Sequence, residues 1–177
     1  MTIGEIENLI RYMCDLRRSS GYIPILEADV SGLLYHLIVV KNLCPLHRIH
    51  LDARITGAQN KNKRFDLVIG DVDQAEDGRP AVSPEAIIEI KLFPNGFTSE
   101  QHRVHFEHIL KGDLRKLGAI RNIPRVEFIF DEVNYLDGQY RGVNRRDVII
   151  ATRDQEAQGV YLIFARKVNG DWDVSVR

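Results

Sequence analysis

Ala86-Ile87-Ile88-Glu89-Ile90-Lys91-Leu92-Phe93 is the stretch that decides how this chain folds. Its apolar residues fall on both phases of a period-two pattern, so it reads as a buried central strand. Two charges interrupt it. Side chains alternate along a strand, so Glu89 and Lys91 share one face with Cα atoms about 7 Å apart. A charge on a buried strand face is expensive to desolvate unless it is paired or bound to an ion.

Upstream, Phe65–Ile69 reads as a second strand carrying Asp66, and His47–Thr56 as a half-buried first one, with Ile49, Leu51, Ala53 and Ile55 alternating against polar residues. The first two strands are expected to form a hairpin across the basic turn Gly57–Lys63, and acidic Gly70–Pro84 to be a loop. Further back, residues 2–18 have helical spacing with Thr2 and Glu5 as a capping box. A second helix covers roughly 25–43, with Val30, Leu33, Leu34, Leu37 and Ile38 inward, and Cys44-Pro45 stops it.

Downstream, Pro94-Asn95-Gly96 turns the chain, and Thr98 with Gln101 caps a helix running to about residue 120. Phe106, Ile109, Leu110, Leu114 and Leu117 face inward, and Gly112 marks a weak point or kink. Arg125–Asp131 is a fourth strand, 132–147 reads as loop, and Val148–Ala151 as a short strand. Val160–Val168 returns through Asn169-Gly170 into Trp172–Val176, a C-terminal hairpin. The order predicts one α/β domain over residues 1–177, with a mixed central sheet flanked by helices.

Composition narrows the classes. The chain has 177 residues, 44% hydrophobic and 28% charged, with a formal charge of −1. Wholesale disorder and a uniformly basic nucleic-acid coat are excluded. Cys14 and Cys44 cannot make a disulfide framework, no apolar run is long enough to span a bilayer, and the N-terminus lacks signal-peptide order. A reduced, cytoplasmic setting without a membrane partner is expected.

If the second and third strands are neighbours, Asp66 meets Glu89 across the ladder. Two carboxylates and an ammonium on one buried face form either a structural ion-pair network or a metal site. Hard Mg²⁺, or Mn²⁺, takes carboxylate and carbonyl oxygens, which Asp66, Glu89 and the Ile90 carbonyl can supply. The metal would polarise a phosphate oxygen and acidify a bound water. Lys91 could orient or deprotonate that water and offset phosphate charge.

Asp66, a gap of 22 residues, then Glu89-Ile90-Lys91 in an apolar strand followed by a helix resembles the PD-(D/E)XK nuclease superfamily. Phe65, rather than proline, precedes the aspartate. The resemblance implies a restriction-endonuclease-like αβββαβ core over about 25–131, with an extra N-terminal helix. It implies Asp66 and Glu89 as metal ligands and Lys91 as the catalytic lysine. Members often add an acid from the first core helix, and Glu27 is the candidate; its plainer role is to complement the helix dipole.

Charge is uneven along the chain. Arg54, Lys61, Lys63 and Arg64 lie in one basic segment, and Lys111 and Arg115 one turn apart in another, as phosphate contacts would require. Solvated surface charge is the bland alternative. Arg141, Arg145 and Arg146 form a third cluster, either a substrate clamp or a solubility feature. His102, His105 and His108 spread too widely around a helix for all to share a metal, and Cys44, His47 and His50 lack a second zinc-type pair. No phosphate-binding glycine motif is present. The expected function is metal-dependent hydrolysis of phosphodiester bonds, in DNA, in a restriction, repair, mobile-element or defence setting. A homodimer or partner subunit would supply specificity. The competing expectation is a non-catalytic nucleic-acid- or protein-binding subunit with the same fold.

Overall fold

The computed structural model describes residues 1–21, 24, 26–57 and 63–177. In chain order these form α1 (Ile3–Ser20), α2 (Glu27–Val40), β1 (Ile49–Ala53), β2 (Phe65–Gln74), β3 (Pro80–Phe93), α3 (Ser99–His108), α4 (Leu114–Gly118), β4 (Arg125–Asp131), β5 (Gln139–Tyr140), β6 (Val143–Asn144), α5 (Arg145–Glu156), β7 (Tyr161–Val168) and β8 (Asp171–Val176). A mixed six-stranded sheet runs β1-β2-β3-β4-β7-β8, and helices flank it. β3 and β4 are parallel, as are β4 and β7, while β1/β2, β2/β3 and β7/β8 are antiparallel.

Local chemistry explains most of the element ends. Thr2 and Glu5 close the capping box at the start of α1, and Gly21 ends it at φ 68° in the left-handed region. Thr98 and Gln101 do the same for α3. Ile6, Leu9, Ile10 and Met13 of α1 join Val30, Leu34 and Ile38 of α2 over one sheet face. Phe106, Ile109, Leu114 and Leu117 pack on the other, beside Ile149 of α5.

The structure corrects three expectations. Residues 70–84 are not a loop: β2 continues to Gln74 and β3 begins at Pro80, so two arms of one hairpin extend beyond the core. Their acids project into solvent from paired backbone. At the register shift after Ile69, a Cβ on Gly70 would collide with the Ser83 carbonyl, so glycine lets the arms close. Val148–Ala151 is not a strand but the middle of α5, whose Asn144 side chain accepts from the Arg146 amide. A four-residue apolar run carries no period of its own. The tight β5/β6 hairpin interrupts the expected 132–147 loop. The weak point at Gly112 is a π turn over Ile109–Asp113 joining α3 to α4. Of the expected turn Gly57–Lys63, residues 58–62 lie outside the described residues. Among the described residues, no helix is long and apolar enough to cross a membrane.

Candidate functional site

The last ladder pair between β2 and β3 is Leu67 with Ile88. Past it, two carboxylates take up the next amides on the β2 side of β3. Ile90 N–H donates to Asp66 Oδ2 at 2.7 Å, and Leu92 N–H to Glu27 Oε1 at 3.4 Å. Val68 opposite Ile87 sets the register, so Asp66 stands level with Glu89, as the sequence predicts. On the other side, parallel β4 puts Glu127 beside Glu89 and Ile129 beside Lys91.

Three elements thus bring the sequence-selected residues together. Lys91 Nζ lies 3.1 Å from Glu27 Oε1 and 3.4 Å from Asp113 Oδ2. Glu89 Oε1 lies 2.6 Å from Lys116 Nζ, and that ammonium sits 4.3 Å above the Phe65 ring. His105 Nδ1 is 3.4 Å from Glu27 Oε1, and His108 Nδ1 is 3.2 Å from Asp113 Oδ2. Glu127 is fully buried, and neither of its carboxylate oxygens has a hydrogen-bond partner.

The electrostatics follow from crowding acids in a dry place. Burial, then the neighbouring Asp66 charge, pushes the Glu89 carboxyl up to about 8. Burial also raises Asp66, against the Ile90 amide that favours its charged form. Glu127 is held well above the usual carboxylate range by burial and then by Asp113 and Glu89. For Lys91, burial opposes the charge, yet Asp113, Glu27 and Glu127 carry its affinity for a proton above the ordinary lysine value. That direction favours the ammonium form of Lys91, the form that can orient a water and offset phosphate charge. Burial lowers the proton affinity of His105.

Acids outnumber ammonium groups in this cluster, a deficit of positive charge, and burial together with the neighbouring carboxylates raises the proton affinity of Asp66 and Glu89. A hard divalent cation fits that deficit and the all-oxygen donor set. Among the described residues, no group of three or more His, Cys, Asp or Glu side chains is arranged to hold a metal. A cation here would rest on Asp66, Glu89, the Ile90 carbonyl and water.

Sequence reasoning missed Asp113, Lys116, Glu127 and His105 as parts of this cluster. Glu127 was findable, since it interrupts the apolar Val126–Phe130 run as Glu89 interrupts its own strand. Asp113 and Lys116 carry no such signal, because the π turn decides which way they face.

The expected phosphate contacts are more dispersed. Arg64 pairs with Asp52 at 2.9 Å, Lys111 with Glu107 at 3.0 Å and Arg115 with Glu156 at 2.5 Å. Lys63 is exposed, and Lys61 lies outside the described residues. Arg54 lines an open groove of about 570 Å³ with Arg64, Arg79, Leu51 and Val72, its Nε buried and without a hydrogen-bond partner. The π turn also separates Lys111 from Arg115, so they are not one regular helical turn apart. Arg145 stacks on Tyr135, 3.9 Å from the ring centroid, and donates to its carbonyl, a structural role. The histidine row splits, with His102 buried against the Pro94 carbonyl at 3.1 Å. Cys44 is buried, and His50 pairs with the Gly70 carbonyl at 3.1 Å.

No protein-family model matches this sequence, and no curated protein does. Among solved structures, the chain is similar to "The structure of Pyrococcus Furiosus SfsA in complex with Ca2+", with a TM-score of 0.30 and 12% sequence identity. The match covers 84% of this chain and 62% of that one, so this chain spans less than two thirds of the SfsA chain. A likeness at that level defines neither family nor activity.

Proposed function

We propose that this chain is a Mg²⁺- or Mn²⁺-dependent nuclease of the restriction-endonuclease-like fold that hydrolyses phosphodiester bonds in DNA. One observation carries the reading: Glu27, Asp66, Glu89 and Lys91, drawn from α2, β2 and β3, meet at one end of β3. The order α2, β1, β2, β3, α3–α4, β4 supports it as an αβββαβ core.

Asp66, Glu89 and the Ile90 carbonyl would hold the cation, which when bound supplies Lewis acidity to a phosphate oxygen and to a water. Glu27 and Asp113 fix the Lys91 ammonium from two sides, so its charge is in place before substrate arrives. Asp66 is itself fixed by the Ile90 amide, which orients one carboxylate oxygen and leaves the other for a ligand.

The test compares wild type with Asp66→Asn and Lys91→Met on supercoiled plasmid, linear duplex and single-stranded DNA, in Mg²⁺, Mn²⁺ or EDTA. Metal-dependent cleavage that either variant lowers about a hundredfold or more is the expected result. The second reading is a non-catalytic binding subunit, favoured by one observation: the Lys116 ammonium already stands 2.6 Å from one Glu89 oxygen as a counter-charge that needs no metal. A folded wild type that cuts no DNA form and gains no melting temperature from either metal would establish that reading instead.

A further inference from the structure

The two lysines of the cluster are held differently. Lys91 is gripped by two carboxylates, Glu27 and Asp113, and its side chain is 9% exposed. Among the described residues, Lys116 has one carboxylate partner, Glu89, and otherwise rests on the face of Phe65. Its side chain is 14% exposed and reaches in from α4, near the helix end at Gly118. A lysine ammonium on a four-carbon stem can swing away from a single partner without moving the backbone. Asp66 faces the same carboxylate from β2, and Glu127 lies beside it on β4.

We propose that Lys116 is an exchangeable counter-ion of this site: its ammonium holds Glu89 in the metal-free protein and leaves when a divalent cation binds. The inference rests on Asp66 and Glu89 being cation ligands. A divalent ion on Glu89 with the ammonium still in place would set two cations against one carboxylate, which repulsion in a poorly solvated pocket disfavours. The single hold on Lys116 makes it the group that yields, and the double hold on Lys91 keeps that charge in place throughout. Lys116 thus supplies part of the missing positive charge, so the folded protein tolerates the acids before metal arrives.

Acylation of wild-type protein by an amine-reactive acetyl ester, quantified lysine by lysine by peptide mass spectrometry, reads this directly. With Mn²⁺ added, Lys116 labelling should rise several-fold, while Lys111, paired with Glu107 on the helix exterior, stays constant. The same titration is followed by melting temperature. A Mn²⁺ stabilisation with unchanged Lys116 labelling overturns the exchange and leaves the metal site standing. No stabilisation and no change in labelling overturns both. Lys116→Met gives an independent readout: it should bind Mn²⁺ more tightly than wild type in calorimetry, and equal or weaker binding overturns the exchange.

Discussion

Toward α1 and α2, strands β3 and β4 present Ile88, Ile90, Leu92, Val126, Phe128 and Phe130, all apolar and buried. Toward α3, the π turn and α4, the same strands present Glu89, Lys91 and Glu127, buried beside the apolar Ile87, Phe93 and Ile129. Alternation along one backbone therefore gives two core surfaces, of which only one also holds charge. One is packed at van der Waals density and carries stability. The other sets charges within its own apolar core, which offsets part of that core's stability and makes each charged group chemically sensitive to its neighbours. Asp66 joins the charged side because its register places it level with Glu89.

The sharpest way to break this contrast is to damage the apolar side alone. Phe128→Ala should lower folding stability by about 3–5 kcal/mol in urea melts, because the cavity lies deep in the sheet. The charged side should respond to pH instead. The Glu89 carboxyl is raised to about 8 in the folded protein, above its ordinary 4.5, so folding favours its protonated form. Its contribution is complete below about pH 4.5 and is lost as pH rises toward 8. Through Glu89 alone, wild-type stability should therefore fall across that window by on the order of 1 kcal/mol per pH unit. Glu89→Gln should flatten the slope in melts at successive pH values, and an equally steep variant would break the assignment. The smallest effect belongs outside both faces. Lys111→Ala should leave the melting temperature unchanged and reduce the salt dependence of DNA binding by about one unit of log–log slope.

Legibility followed the same division. β4 falls on Arg125–Asp131 as its apolar run predicts, and both capping boxes open their helices where Thr2 and Thr98 stand. Those signals are local. Asp66, Glu89 and Lys91 were legible because charges in apolar strands are conspicuous, Glu27 only through the family resemblance, and the geometry gathers all four. What could not be read depended on partners distant in sequence. The β2/β3 arms look like acidic loop until the ladder pairs them, and Val148–Ala151 takes its helical period only from residues on either side. Glu127 joins the site through the parallel register with β3, which no spacing within its own strand encodes.

The π turn at Ile109–Asp113 leaves its trace in the buried residues Phe106, Ile109, Leu114 and Leu117, whose middle step is one residue too long for a regular helix. Each added residue turns a helix by about 100°. Gly112 suits the turn because a Cβ there would sit 3.3 Å from the His108 ring. Losing that one residue would rephase everything after it, carrying Asp113 and Lys116 around the helix axis and away from Lys91 and Glu89. For this helix, an insertion or deletion of a single residue is a change of side rather than of length. Related chains could gain or lose half of the site's counter-charges with every strand left intact.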